Sequence, residues 1–213
     1  MNNEKMTIHK ALSELKTLDA RIEKAIRGTS FVFANKHSNA TVNGVKVSDV
    51  CDLIKSNYQS INDLMARRSA IKKAVMLSNA VTKVTIGGIE YTVAEAIEIK
   101  NNAIPLMKKL YTKLSGDNYE ARNTAQMSNG ERLETRADAY VKTLYENADM
   151  KNASDQIKKV REDFIASQTV EIVDPIGITD EMKKLEDKIN AFVVDVDSAL
   201  SVSNALTEIE ISY

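Results

Sequence analysis

The hydrophobic positions of this chain follow two rhythms, and the elements change where one rhythm gives way to the other. Over long stretches they recur every three or four residues, as on an amphipathic helix. In a few places they alternate every second residue, as along a strand. The sharpest change lies in Val81–Ile97, VTKVTIGGIEYTVAEAI. Val84 and Ile86 alternate with polar residues, Gly87-Gly88 forms a turn, and Ile89, Tyr91 and Val93 resume the alternation. Glycine takes φ > 0 at both central positions of a tight hairpin turn without steric cost. Thr92-Val-Ala-Glu95 then predicts a helix start, because Thr92 can accept from one orphan N–H and Glu95 can reach back to another.

The same reading predicts five long helices. The first runs from about Asn3 to Arg27 on a seam of Ile8, Leu12, Leu15, Ile22 and Ile26, with Asp19 in the seam, Leu18 beside it and Gly28 as its stop. Residues 29–47 follow, carrying Phe31-Val-Phe33 and then Thr41–Val47, where Asn43-Gly44 between alternating valines predicts another hairpin. Ser48 is placed to cap a second helix, Asp49–Ser78. Its seam of Val50, Ile54, Asn57, Ile61, Leu64, Arg68, Ile71 and Val75 keeps coiled-coil spacing, and polar Asn57 and Arg68 are of the kind that fix register. The third helix, Val93–Leu114, has the seam Val93, Ile97, Lys100, Ile104, Met107, Tyr111 and Leu114, and Pro105 predicts a kink near Asn101-Asn102.

Residues 115–131 are polar and aperiodic and read as a loop. The fourth helix, Arg132–Ser167, keeps a heptad through Leu133, Ala137, Tyr140 and Leu144 and then slips to Ala153, Ile157, Val160 and Phe164, a stutter or break near Ala148–Asn152. Pro175 holds Thr169–Ile178 extended. Thr179 then caps a fifth helix with the seam Met182, Leu185, Ile189, Phe192, Val196 and Ala199. Ile209, Ile211 and Tyr213 alternate with Glu208, Glu210 and Ser212, a candidate C-terminal strand able to complete a hairpin or to be donated to a neighbouring subunit.

An internal repeat ties these parts together. Thr41–Ser48 aligns with Thr85–Thr92, each a strand, tight turn, strand and hydroxyl cap before a long helix. If the first three helices run up, down and up, the two hairpins lie at opposite ends and cannot pair with each other. A lone hairpin is marginal in water, so each must pack on helix ends or pair with a further strand. The expected fold is mainly α: an antiparallel bundle of about five long coiled-coil-like helices with small β-hairpins at helix ends. It is expected as a single elongated domain over 1–213, with a helix-hairpin half (3–114) and a C-terminal helical half (132–213) joined by loop 115–131.

Composition sharpens this picture. Two Pro, seven Gly, 5% aromatics and no Trp suit a helical protein, and every Gly falls at an expected element boundary. The single Cys51 excludes an intrachain disulfide and a Cys-based metal cluster, and its apolar surroundings predict a buried thiol. The N-terminus lacks an apolar signal region and no run approaches a membrane span, so synthesis in a reducing cytoplasm is expected. Residues 171–213 carry 10 acidic and 3 basic residues, net −7, against net +6 for the rest, so the chain can pair with itself or head to tail with a copy.

The chemistry-bearing residues do not gather. His9 and His37 are the only histidines and stand apart from each other and from other metal-ligand types at helical spacing. Nucleophile-elbow, zinc-protease, Cys-x-x-Cys and P-loop patterns are all missing. Gly87-Gly88 reads as a turn rather than a phosphate loop, and Asp195 and Asp197 would diverge on a helix. No catalytic, cofactor-binding or metal-binding residue is therefore expected. Arg67-Arg68 with Lys72-Lys73 forms a basic cluster able to meet phosphates, but Arg68 sits in a seam and the acidic fifth helix needs partners. Pairing within or between subunits is the expectation, rather than nucleic acid or membrane. The candidate interaction residues are Ile86, Gly87, Gly88, Ile89 and Tyr91, Asn43 and Gly44, the four cations, and Ile209, Ile211 and Tyr213.

The order of parts resembles a known family. Leu12-Ser-Glu-Leu15 precedes Asp19-Ala-Arg-Ile-Glu23, and the long second helix carries Met65-Ala-Arg-Arg-Ser-Ala-Ile71. A Gly-turn hairpin, a capped third helix and a closing Asn204–Ile209 segment follow. This is similar to the septicolysin-labelled family of small helical-bundle proteins of bacteria and phages, relative to which residues 115–131 look like an insertion. The resemblance implies an oligomeric helical bundle and no catalytic residues. The expected function is a non-enzymatic, self-assembling structural or interaction protein, most specifically a phage or phage-derived virion component, with copies of itself or other particle proteins as partners. The alternatives are a cytoplasmic module binding protein or nucleic acid through the basic helix face, and a membrane-acting toxin.

Overall fold

A computed structural model describes residues 3–145 and 154–213. The protein is mainly α with small antiparallel two-stranded sheets. The chain divides into two units: residues 1–102 with 191–213, and the intervening residues 103–190. The second unit is inserted in the sequence of the first.

The first unit opens on a strand rather than a helix. β1 (Asn3–Thr7) leads directly into α1 (Ile8–Arg27), and the Thr7 hydroxyl accepts from the Lys10 N–H at 3.2 Å as the N-cap. Five residues expected as the first turns of a helix are extended because the far end of the chain supplies a ladder for them. β6 (Glu208–Ser212) pairs antiparallel with β1, with Met6 opposite Ile209. Met6, Ile209 and Ile211 are buried beneath that sheet. They pack with Ile8, Ala11, Leu15 and Leu18 of α1, and with Ile71 and Val75 of α2 (Val47–Val81). The seam of α1 therefore passes through Ala11 and Leu18; Leu12 and Ile26 stay on the surface. Each large apolar side chain so buried contributes about 1.5–3 kcal/mol.

Both Gly-turn hairpins form. β2 (Thr41–Val42) and β3 (Val45–Lys46) flank Asn43 and Gly44, both at positive φ. β4 (Lys83–Ile86) and β5 (Ile89–Thr92) flank Gly87 and Gly88. They sit at the two ends of α2, whose 35 residues span about 50 Å. Ser48 lies inside α2 and does not cap it; its hydroxyl bonds Asp49 instead, because the helix starts directly from the hairpin at Val47. Cys51 is half-buried, not buried.

α3 (Val93–Glu98) begins with the expected capping box between Thr92 and Glu95. At Ile99–Ala103, around the kink expected near Asn101-Asn102, the backbone widens into a π-helical segment. Pro105 has no N–H and its ring crowds the carbonyl four residues back, so an i→i+5 pattern relieves the ladder there.

In the second unit α4 (Ile104–Ser128) runs through the polar stretch expected as loop. Lys113–Asp117 and Arg122–Asn118 side-chain pairs, each four residues apart, brace its exposed surface, and Gly116 sits within it rather than at a boundary. The long fourth helix is two, α5 (Glu131–Leu144) and α6 (Asp155–Gln168). They pack antiparallel, with Tyr140 stacked on Phe164 at 4.6 Å and Arg161 bonded to Asp138 at 2.7 Å. The break expected near Ala148–Asn152 lies outside the described residues. The last helix, α7 (Ile178–Leu206), starts one residue before Thr179; the Asp174 carboxylate accepts from the Ile178 N–H at 2.8 Å and takes the capping role.

Candidate interaction site

The interaction residues expected from sequence fall in three places of the first unit. At the tip of the β4–β5 hairpin, Gly87 lies against α7. Its N–H donates to Asp195 Oδ2 at 3.2 Å, and a Cβ there would stand 2.8 Å from the Ala191 carbonyl oxygen. Ile86 is buried, and Tyr91 meets Phe192 edge-on at 5.9 Å. Asp197 pairs with Lys100 on the π-segment. The hairpin is therefore held by its own chain through Asp195, and Asp197 is consumed in holding the π-segment. Gly88 and Ile89 remain outside, with Ile89 exposed.

The second place is the β1–β6 sheet. The C-terminal strand does not join either hairpin; it pairs with β1 of the same chain. Ile209 and Ile211 are core residues here, so their use by a neighbour would require unpicking the fold. Tyr213 is half-exposed and lies over Arg67, whose guanidinium carbon is 4.8 Å from the ring centroid. Arg67 also donates to the Tyr213 hydroxyl, to Glu14 on α1 and, at 2.8 Å, to Glu4 on β1. One guanidinium thus joins α2, α1 and both strands. The Glu14 and Glu4 carboxylates hold the Arg67 pKa above its ordinary value, and Arg67, then Lys10, hold that of Glu4 below its own. Arg68 pairs with Asp19, which lowers the Asp19 pKa.

Two of the four expected cations are thereby committed inside the chain, to α1 and β1 rather than to the acidic last helix. Lys72 and Lys73 remain exposed on α2. The third place, the β2–β3 hairpin with Asn43 and Gly44 at its tip, projects into open space; nothing lies within 4 Å of a Cβ built on Gly44.

Comparison with known proteins returns no relative. No family model, no curated protein and no solved structure matches the chain. The site must be judged on its own geometry. Among the described residues no three His, Cys, Asp or Glu side chains gather as a metal site, and no helix is long and apolar enough to cross a membrane. The shifted titratable groups are explained by their ion pairs and, for Glu95, by the Thr92 backbone and hydroxyl bonds.

Two features escaped the sequence reading. Large apolar side chains stay on the surface: Val32 is 86% exposed and Val173 89%, with Phe31, Phe33, Ile172 and Ile176 also outward. The Phe31-Val-Phe33 run was visible as apolar content, but nothing in its pattern told that it stays outside. The second is Asn129, whose side-chain amide bonds both backbone groups of Val170, donating at 2.8 Å and accepting at 2.9 Å. A lone Asn beyond a polar helix gives no sequence signal for that role.

Proposed function

We propose that this protein is a non-enzymatic structural component that assembles with copies of itself, most specifically as part of a phage or phage-derived particle. The observation that carries the reading is the large apolar side chains left in water on each unit, Phe31–Phe33 on the first and Ile172–Ile176 on the second among them. Contiguous exposed apolar patches mark sites of association. The resemblance of the chain's order of parts to the septicolysin-labelled bacterial and phage proteins supports the particle setting.

The route of assembly differs from simple donation of the C-terminal strand, because β6 is already paired at home. The exposed segments are the surfaces left for it. The basic-face alternative retains only Lys72 and Lys73 as cations outside strong intrachain pairs, which is little for phosphate binding.

The test is the mass of the native protein by light scattering across a wide range of concentration. A defined oligomer is expected, one that persists at high salt because apolar contacts hold it. A monomer at every concentration refutes the proposal.

A further inference from the structure

We propose that copies of this chain join head to tail, the basic apolar segment 29–46 of one copy holding the acidic segment 169–176 of the next. This rests on the self-assembly reading and names its contact.

The receiving surface is apolar, basic and has an open strand edge. Phe31 meets Tyr58 of α2 edge-on at 6.2 Å, while Val32, Phe33 and Val45 remain outward. Residues 29–46 hold Lys36 and Lys46 and no Asp or Glu. In the β2–β3 hairpin Val42 and Val45 close the two-residue turn, and the Val47 N–H donates to the Ala40 carbonyl at 3.1 Å. Antiparallel pairs alternate, so Thr41 between them turns its N–H and C=O away from β3. That edge can take a third strand, which a lone hairpin needs for stability.

The entering segment has the complementary character. Residues 169–176 hold two acidic side chains, Glu171 and Asp174, and no basic one. Asn129 grips Val170 as a neighbouring strand would, and Asp174 accepts from the Ile176 and Ile178 N–H groups. Between these anchors, among the described residues, the backbone of Glu171–Val173 makes no hydrogen bond, and Ile172 and Val173 face outward. The segment is fixed at both ends and its backbone is unpaired in the middle. Strand addition would satisfy its backbone, and the almost wholly exposed Val173 would enter the Phe31–Phe33 surface.

Charge decides between the occupants a second copy offers. Basic segment against basic segment repels, as does acidic against acidic, whereas basic against acidic attracts. The contact is therefore between different surfaces, and repetition gives a ring or a filament rather than a two-fold dimer.

Val32→Asp and Val173→Asp test this, because both positions are almost wholly exposed and the fold does not depend on them. Each places a charge in the proposed contact and is expected to weaken self-association by at least about tenfold, read by sedimentation velocity. Each variant still carries one intact surface, so an equal mixture of the two is expected to form a 1:1 dimer and nothing larger. Either variant keeping the wild-type oligomer overturns the inference while leaving self-assembly standing. Two dissociated variants that stay monomeric when mixed overturn the head-to-tail geometry. A monomeric wild type overturns both readings together.

Discussion

Gly87→Ala isolates the docking of the second hairpin on α7, with Gly88→Ala as its control. Both glycines lie at positive φ, +59° and +79°, so an alanine at either costs about 1–2 kcal/mol of backbone strain. They differ in surroundings. A Cβ at Gly88 meets nothing within 4 Å, whereas one at Gly87 would stand 2.8 Å from the Ala191 carbonyl oxygen and 3.2 Å from its carbon. That neighbour is helix backbone and cannot swing aside as a side-chain tip would. The hairpin must lift, which also stretches the Gly87 N–H bond to Asp195 and the contact of Tyr91 with Phe192. Overpacking of this kind costs about 1–3 kcal/mol. Gly87→Ala is therefore expected to destabilise by about 2–5 kcal/mol in total, and Gly88→Ala by the strain of about 1–2 kcal/mol alone. Urea titrations of both variants, followed by circular dichroism, give the two values at a common slope. Equal losses would mean that the hairpin tip does not touch α7, and the packing described for it would be wrong.

Other outcomes follow from the same structure. Ile211→Ala is expected to lose about 2–5 kcal/mol, since the side chain is buried under the β1–β6 sheet, and removing residues 208–213 is expected to abolish the cooperative unfolding of the first unit in denaturant. Arg67→Met strands the Glu14 carboxylate that it pairs and is expected to cost about 1–3 kcal/mol, whereas Tyr213→Phe keeps the ring over the cation and costs about 0.5–1.5 kcal/mol; chemical denaturation of each separates them. Glu4, Asp19 and Glu95 all titrate below their ordinary values in the folded state. The unfolded chain thus binds more protons near pH 4, so stability is full above the ordinary values of 4.5 for Glu and 3.8 for Asp and falls as pH drops through the lowered ones. Thermal melts from pH 6 to pH 2 should show that fall, and Glu95→Gln should flatten it.

What the sequence disclosed and what it hid divide along physical lines. Local signals were legible. Asn43-Gly44 and Gly87-Gly88 demand φ > 0, Thr92 and Glu95 complete each other three residues apart, and Pro105 must disturb the ladder before it. Signals with a distant partner were not. Nothing in Asn3–Thr7 tells that it is a strand, because the ladder that makes it one is supplied by Glu208–Ser212. Arg67 reads as one of four surface cations until β1, α1 and Tyr213 converge on it. α4 hid for another reason: beyond Leu114 it has no apolar stripe, and charged and amide pairs along its exposed surface take the place of core packing. Ser48 and Thr179 were well-typed caps one residue inside their helices, where a hairpin and the Asp174 carboxylate already held the ends.

The charge asymmetry of the chain gains a more specific meaning from these pairings. Within the acidic stretch 171–213, Asp195 holds the Gly87 N–H, Asp197 pairs with Lys100, and Glu208 with Lys5. Asp195, Asp197 and Glu208 are thus spent inside the first unit, fastening a hairpin, a π-segment and a strand. Those at 171–181 are spent differently. Asp174 holds backbone N–H groups of its own turn, and Glu181 reaches Lys184 one turn along, both local bonds that shape the segment without anchoring it to a basic surface. The acid-free stretch 24–48 likewise spends little: Arg27 pairs with Glu23 on its own helix. Charges used for folding are matched at close range across elements, as Arg67 is with Glu4 and Glu14. Charges that meet only their sequence neighbours are left to act outward, and here the two outward sets have opposite sign and share their segments with exposed Val32 and Val173. Folding alone requires no such coincidence of exposed apolar residues with unmatched charge, and the contact proposed between copies would use it.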